Sequence, residues 1–203
     1  ILPDLLSMLA EAYPDLEPRF VEEQTQHLIT RLRNGNLDLA IMAIPSEATG
    51  MVDSPLYTEK FSIVCPPNHP IAGREDVQLS ELKDLDLLLL DDGHCLRDQV
   101  VDLCRHADVN PAEATNSVTR ASSLTTIMQL VMGGLGCTLV PESALATECH
   151  GKDVAIAHFA SDVTAEREVG LVFRSSAARA EEFREFGTLI TSAYNKAIER
   201  SRQ

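Results

Sequence analysis

The sequence predicts an α/β fold with two lobes of similar size. Apolar runs of strand length alternate with amphipathic helices along the chain, and this alternation occurs once before and once after a turn-rich stretch at 66–73. Several of the strands are almost wholly apolar, which is typical of strands buried on both faces. Because such sheets bind ligands at the ends of their strands, a cleft at the strand ends is the expected ligand site.

The first half of the chain is predicted to contain two helices and four strands. The first helix has Leu2, Leu5, Leu6 and Leu9 on one face and ends before Pro14, and the second follows Thr25, which is read as its capping residue. The strands are Leu16–Val21, Leu37–Ile44, Leu56–Thr58 and Phe61–Val64.

The second half repeats the arrangement and ends in a long helix. Its helices are a short one capped by Ser80, Leu96–His106, Leu124–Met132 and one from about Ala177. Its strands are Leu87–Leu90, Ser117–Ala121, Cys137–Val140, Val154–Phe159 and Val169–Phe173. The two halves are therefore predicted to be Rossmann-like lobes.

Charge and cysteine usage exclude several classes of function. The 31 acidic and 17 basic residues give a net charge of −14, whereas binding to a phosphate backbone requires clustered Lys and Arg. The chain has neither a membrane-length apolar run nor a signal peptide, so a cytoplasmic location and no membrane partner are expected. Five irregularly spaced cysteines argue against a disulfide-stapled secreted domain, and no metal-ligand spacing or cofactor motif is present.

The most informative segment runs from the apolar strand Leu87–Leu90 through an acidic Gly turn into the next helix. Cys95 is predicted at the start of that helix, where the positive end of the helix dipole and the neighbouring His94 and Arg97 favour a reactive thiolate. Asp91, Asp92 and Asp98 act in the opposite direction. Cys95 is thus a candidate reactive thiol.

Cys104 lies nine residues later on the same predicted helix. A continuous helix holds the two Cα atoms about 13–14 Å apart, whereas a disulfide needs them within about 7 Å. If Cys95 is oxidised to a sulfenic acid that condenses with Cys104, the intervening segment must unwind, which would constitute a switch. The alternative is that both are ordinary buried cysteines.

The run Asp92-Gly-His-Cys-Leu-Arg-Asp-Gln99, with its second cysteine at position 104, resembles the redox signature of the OxyR family, the peroxide-sensing LysR-type transcriptional regulators. Other segments resemble LysR-type regulators more generally. They are Leu2-Pro3, Glu23-Gln24-Thr25, Arg31–Asp38, Asn68-His69-Pro70, Arg120–Leu124, Gly133–Gly136 with Leu139-Val140-Pro141, and Gly170–Arg174.

The resemblance implies a periplasmic-binding-protein-like (type 2) LysR effector domain. Lobe I would comprise residues 1–60 and 171–203, lobe II residues 61–170, and the crossover strands would lie near Phe61–Val64 and Val169–Phe173. The family's winged helix-turn-helix would precede residue 1. The implied partners are hydrogen peroxide, further copies in a dimer or homotetramer, DNA through the N-terminal domain, and RNA polymerase for the full-length protein.

The resemblance also implies that the full protein controls oxidative-stress genes and that individual residues of this chain have roles in sensing peroxide. Cys95 matches the peroxidatic cysteine and Cys104 the resolving cysteine, and Thr25 matches a threonine that serves the peroxide. His94, with the adjacent Gly93, is expected to contact peroxide or simply to form the turn. Arg174 is expected to approach the thiolate or to form a surface ion pair. Arg97 and Asp98 are read as helix-surface residues, Cys137 as core, and Cys65 and Cys149 receive no role.

Two other functions remain open from the sequence. The chain could be a LysR-type domain that binds a small organic effector in the cleft, with incidental cysteines, and a ligand-dependent rise in melting temperature would indicate this. It could instead be a thiol peroxidase, although the usual CxxC and peroxidase motifs are absent. An enzyme is not the expected class.

Overall fold

The computed structural model describes residues 1–109 and 115–201, with the backbone alone for 115–120 and 201. The chain divides into two compact units, Ile1–Glu59 with Arg167–Gln203 (unit 1) and Lys60–Glu166 (unit 2). The junctions fall at 59/60 and 166/167, whereas the predicted junctions were 60/61 and 170/171. The assignment of these units as regulatory lobes stays a prediction.

The described residues contain six α-helices, one 3₁₀ helix and seven strands. The helices are α1 (Leu2–Ala12), α2 (Thr25–Arg33), α3 (Cys95–His106), α4 (Leu124–Met132), α5 (Glu142–Glu148) and α6 (Ala180–Ser201), with the 3₁₀ helix at Leu79–Asp84. The strands are β1 (Leu39–Ile44), β2 (Met51–Cys65), β3 (Leu87–Leu90), β4 (Thr115–Ala121), β5 (Thr138–Pro141), β6 (Ala155–His158) and β7 (Glu166–Arg174).

Unit 1 is built on β7, which pairs antiparallel with β1 and neighbours β2. The buried face of α1 packs with α6 on this sheet, where Leu5 and Leu9 join Leu171, Phe173 and Phe183 in one apolar cluster. The helix α2 covers β1 through a smaller cluster. Of the four leucines predicted to form the apolar face of α1, Leu5 and Leu9 are buried, whereas Leu2 and Leu6 are 46% and 41% exposed.

Unit 2 has its core around the second part of β2. Antiparallel pairing joins this part of β2 to β5 on one side and to β6 on the other. β3 and β4 pair in parallel beside it. The helix α3 packs into the largest apolar cluster of the unit through Val100, Leu103 and Cys104. The helix α3, which begins at Cys95, is therefore held in unit 2 by its C-terminal half.

The predicted strand at Leu16–Val21 is wrong. This segment carries no strand assignment, and Leu16 and Phe20 are 44% and 49% exposed. A strand is stabilised by pairing with a neighbour, and among the described residues no strand pairs with it.

Two predicted strands, Leu56–Thr58 and Phe61–Val64, belong to the single strand β2. The sequence suggested a break because charged Glu59 and Lys60 lie between them. Glu59 is instead fully buried and accepts hydrogen bonds from Arg167 on β7. The ion pair allows the charged residue to remain within a continuous strand.

Several helix ends also differ from prediction. Gln78, not Ser80, caps the 3₁₀ helix, in a capping box with Glu81. The strand β5 ends at Pro141, which is also the N-cap residue of α5, a helix that was not predicted from sequence. The helix α6 begins at Ala180 rather than Ala177. In the residues that the structure describes, no helix is both long and apolar enough to cross a membrane.

Candidate functional site

The turn between β3 and α3 fixes the position of Cys95. The backbone N–H of Asp91 donates to the carbonyl of Ala121 at 3.0 Å, which ties the end of β3 to β4. Gly93 then adopts a φ of +91°, a conformation that glycine reaches without strain. His94 is the N-cap residue and its carbonyl accepts from the N–H of Arg97 at 3.0 Å. Cys95 is therefore the first residue of α3, as the sequence predicted.

Cys95 is partly exposed and is the first residue of α3. The first N–H groups of a helix have no intrahelical acceptor, and the helix dipole places partial positive charge at this end. No side chain caps α3 in the part of the chain that the structure describes. The thiol thus lies where dissolved reagents reach it and beside the N-terminal N–H groups of the helix.

The charged neighbours of Cys95 largely pair with one another. Nη1 of Arg97 lies 2.9 Å from Oδ1 of Asp92 and 3.9 Å from Oδ1 of Asp98. The five-residue spacing of Asp92 and Arg97 across the turn is the sequence signal for this ion pair. Arg97 is therefore engaged by the carboxylates of the turn and the helix.

Cys104 lies in a different environment on the same helix. It is fully buried in the core of unit 2, and burial raises the pKa of its thiol. Because α3 is continuous from Cys95 to His106, the two cysteine Cα atoms are about 13–14 Å apart by the helical rise. All five cysteines are free in this structure. A disulfide between Cys95 and Cys104 therefore requires α3 to unwind.

The other three cysteines are unsuited to direct attack on a dissolved oxidant. Burial raises the pKa of Cys137 to about 12 and that of Cys149 to about 11, and it raises the pKa of Cys65. Cys65 and Cys137 are fully buried, whereas Cys149 is partly exposed. Cys149 therefore provides a natural comparison for Cys95, with similar exposure but no helix N-terminus.

Thr25 and Arg174 lie in unit 1, apart in the chain from the cysteine segment. The N-cap residue of α2 is Gln24, so the reading of Thr25 as the cap is wrong, and Thr25 is the partly buried first residue of the helix. Nη1 of Arg174 donates to the carbonyls of Leu32 and Leu37, the latter at 2.9 Å. Their roles toward peroxide stay predictions.

The structure thus places Gly93, His94 and Cys95 side by side at the start of α3, with Cys104 further along the same helix in the core. Among the described residues there is no group of three or more side chains suited to bind a metal ion. The arrangement offers one accessible thiol at a helix N-terminus and one buried thiol on the same helix.

Comparison with known proteins places the chain in a family. The LysR substrate binding domain matches residues 1–194. A protein of Mycobacterium avium named a probable hydrogen peroxide-inducible genes activator is 47% identical over 190 residues, which cover 94% of this chain and 60% of that protein. The chain therefore spans about three fifths of the length of this curated relative.

Solved structures of similar proteins have the same fold. A hydrogen-peroxide-bound cysteine-to-serine mutant of OxyR from Corynebacterium glutamicum is 57% identical and superposes with a TM-score of 0.96 over 99% of this chain and 62% of that chain. The oxidised form of the same OxyR is 56% identical over the same shares and has a TM-score of 0.85. The reduced regulatory domain of OxyR2 from Vibrio vulnificus is 30% identical with a TM-score of 0.81, over 94% of this chain and 88% of that one.

Proposed function

Since the chain belongs to the family of LysR substrate-binding domains, we propose that it is the regulatory domain through which a DNA-binding transcription factor senses hydrogen peroxide. The observation that carries the proposal is the pairing of a partly exposed Cys95 at the N-terminus of α3 with a buried Cys104 on the same helix. The names of its relatives, a peroxide-inducible genes activator and OxyR, support it.

The chemistry proceeds in two steps. The Cys95 thiolate attacks one oxygen of hydrogen peroxide, so that an S–O bond forms while the O–O bond breaks, and the departing hydroxide takes up a proton and leaves as water. The sulfur has then lost two electrons to the peroxide. In the second step the Cys104 sulfur attacks the Cys95 sulfenic sulfur, an S–S bond replaces the S–O bond, and a second water molecule leaves.

The separation of the two thiols makes the second step a conformational event. The helix α3 must lose helical turns before the sulfurs can meet, and either Cys104 leaves the core of unit 2 or Cys95 enters it. The cost of that opening is offset by formation of the S–S bond. The oxidised chain therefore has a different packing of α3, which is the bistable element that a switch requires.

We propose further that His94 binds the peroxide beside Cys95, with Gly93 shaping the turn. The roles of Thr25 and Arg174 toward peroxide stay predictions from the resemblance. Peroxide activation needs donors aimed at the leaving oxygen, and hydroxyl and imidazole groups supply them.

For the full-length protein we propose a cytoplasmic homo-oligomer, a dimer or tetramer, that controls oxidative-stress genes. The net charge of −14 on this chain supports a DNA contact made by another segment of the full-length protein. Oxidation would change contacts between copies and thereby the DNA-binding domains and their contact with RNA polymerase. One oxidation per signal suffices, so the domain is a sensor and not an enzyme that turns over peroxide.

The test is trapping of the sulfenic acid with dimedone in the Cys104→Ser variant, after addition of hydrogen peroxide in slight excess. We expect one dimedone adduct, on the peptide containing Cys95, and none in the Cys95→Ser/Cys104→Ser variant. The matched control is Cys104→Ser/Cys149→Ser, because Cys149 is also partly exposed but its thiol pKa is raised to about 11. This control should give the same adduct on Cys95 as the Cys104→Ser variant.

An adduct on Cys149 in place of Cys95 would overturn the assignment of roles. The absence of any adduct on folded protein, together with a rise in melting temperature on addition of a small organic effector, would favour the organic-effector function instead. Sustained consumption of peroxide in the presence of a thiol reductant would indicate a peroxidase.

A further inference from the structure

Cys65 and Cys137, to which the proposed function gives no role, lie opposite each other in unit 2. The antiparallel register of β2 and β5 pairs Phe61 with Pro141 and ends with Val64 opposite Thr138. Extending the register by one residue places Cys65 opposite Cys137. Side chains that are directly opposite in an antiparallel pair project from the same face of the sheet.

The backbone bonds of Cys137 show which kind of pair this is. Its N–H donates to the carbonyl of Asp86 and its carbonyl accepts from the N–H of Leu88, both at 2.8 Å. Both groups thus point toward β3 and away from β2. The position opposite Cys65 is therefore a non-hydrogen-bonded one, where Cα atoms are about 4.5 Å apart and side chains approach most closely.

The side chains share one environment. Both cysteines are fully buried members of the same apolar cluster. Charge on Cys65 contributes to the raised pKa of Cys137, so the two thiols are within electrostatic reach of each other. The Sγ of Cys65 donates a weak hydrogen bond to the carbonyl oxygen of Ala155 at 3.7 Å, and closure of a disulfide would replace that contact.

We infer that Cys65 and Cys137 form a second dithiol, which a two-electron oxidant closes into a cross-strand disulfide independently of Cys95 and Cys104. The Cα separation of a non-hydrogen-bonded pair falls at the short end of the range for disulfides, about 4.4–6.8 Å. With hydrogen peroxide as oxidant, one thiol becomes a sulfenic acid with release of water, and the second thiol displaces a further water as the S–S bond forms.

Because its two thiols are buried, this dithiol requires more oxidant or a longer exposure than Cys95 before it is oxidised. Neither sulfur is exposed, and burial holds both groups in the unreactive thiol form. An oxidant reaches them only during transient opening of the sheet. Cys95 would therefore respond first and the buried pair only under stronger or longer oxidation.

The Cys65–Cys137 disulfide would enclose the proposed switch in a loop of the chain. It would close a loop of the 71 residues between Cys65 and Cys137, and that loop contains the whole of β3, α3, β4 and α4. Unwinding of α3 between Cys95 and Cys104 takes place inside the loop. The second disulfide would therefore stabilise the surrounding sheet while leaving the proposed switch free to refold.

The experiment uses the wild-type chain and the Cys95→Ser/Cys104→Ser variant. Each is treated while folded with excess diamide, an azo compound that takes two hydrogens from a pair of thiols and becomes a hydrazine. Remaining thiols are then alkylated and the protein is digested for peptide mass spectrometry. We expect a linked peptide pair containing Cys65 and Cys137 in both proteins. In the double variant the melting temperature should rise by about 5–10 °C, reversibly with reductant.

Full alkylation of Cys65 and Cys137 after oxidation of the folded protein would overturn the inference, as would linkage of either one to Cys149. The wild-type result stands without any substitution in the core. A Cys65→Ala version of the double variant is the matched control and should show neither the link nor the rise. Because the double variant lacks both proposed sensor thiols, its result is independent of whether Cys95 and Cys104 sense peroxide.

Discussion

Gly136→Ala should destabilise the chain far more than Gly134→Ala, although the two glycines lie in the same turn. A Cβ at Gly136 would lie 2.2 Å from the carbonyl oxygen of Asp86, and the residue has a φ of +152°. At Gly134, with a φ of +78°, a Cβ would meet nothing within 4 Å. The turn therefore offers a steric test with its own control.

The expected magnitude follows from what each Cβ disturbs. At Gly134 the cost is the strain of positive φ, about 1–2 kcal/mol. At Gly136 the same strain adds to separation of the backbones that bond Cys137 to Asp86 and Leu88. Loss of those two hydrogen bonds costs about 1 kcal/mol each. We expect Gly136→Ala to cost about 3–4 kcal/mol.

Urea unfolding monitored by circular dichroism measures both variants against the parent. The difference between them should be about 2 kcal/mol in favour of Gly134→Ala, with unchanged m-values. Equal losses for the two variants would refute the close approach of Gly136 to the backbone of Asp86.

Two further predictions concern buried groups. Burial raises the folded-state pKa of Cys137 to about 12, so the stability associated with its thiol is present below the unfolded-state pKa of about 8.5 and is lost as pH rises toward 12. Urea unfolding of the reduced protein between pH 8 and pH 11 should show this fall in the free energy of unfolding, with a smaller slope against pH for Cys137→Ala. A slope unchanged by that substitution would contradict the prediction. Arg167→Met removes the Arg167 cation from the fully buried Glu59 and should lower the free energy of unfolding in urea by about 3–5 kcal/mol. Arg105→Met, in the exposed Arg105–Asp102 pair, should lower it by less than about 0.5 kcal/mol. Similar losses for the two variants would argue against the buried pair.

Local pattern was sufficient where an element depends on its own residues. The helix at Leu124–Met132 has the predicted bounds because its apolar positions and the Ser123 cap both lie within the segment, where the Ser123 side chain accepts from the N–H of Thr126. The start of α3 at Cys95 was predicted for the same reason, since a Gly turn after an apolar strand marks it. The fold class and the redox segment were therefore accessible from sequence.

Elements that depend on distant partners were not predictable from local pattern. The continuity of β2 through Glu59 depends on Arg167, which is more than one hundred residues away. The segment Leu16–Val21 has strand-like composition, but composition does not indicate whether a neighbouring strand is present to pair with it. The placement of Cys65 opposite Cys137 also needed the register of β2 and β5, because the spacing of the two cysteines along the chain carries no such signal.

The central claim is that Cys95 and Cys104 are the peroxide-responsive pair. Its most direct test is peptide mass mapping of the reduced wild-type chain after brief treatment with near-stoichiometric hydrogen peroxide, with free thiols alkylated before digestion. The account predicts a linked peptide pair containing Cys95 and Cys104, with Cys65, Cys137 and Cys149 alkylated. Recovery of both Cys95 and Cys104 as alkylated thiols, from protein that remained folded and exposed to peroxide, would contradict it.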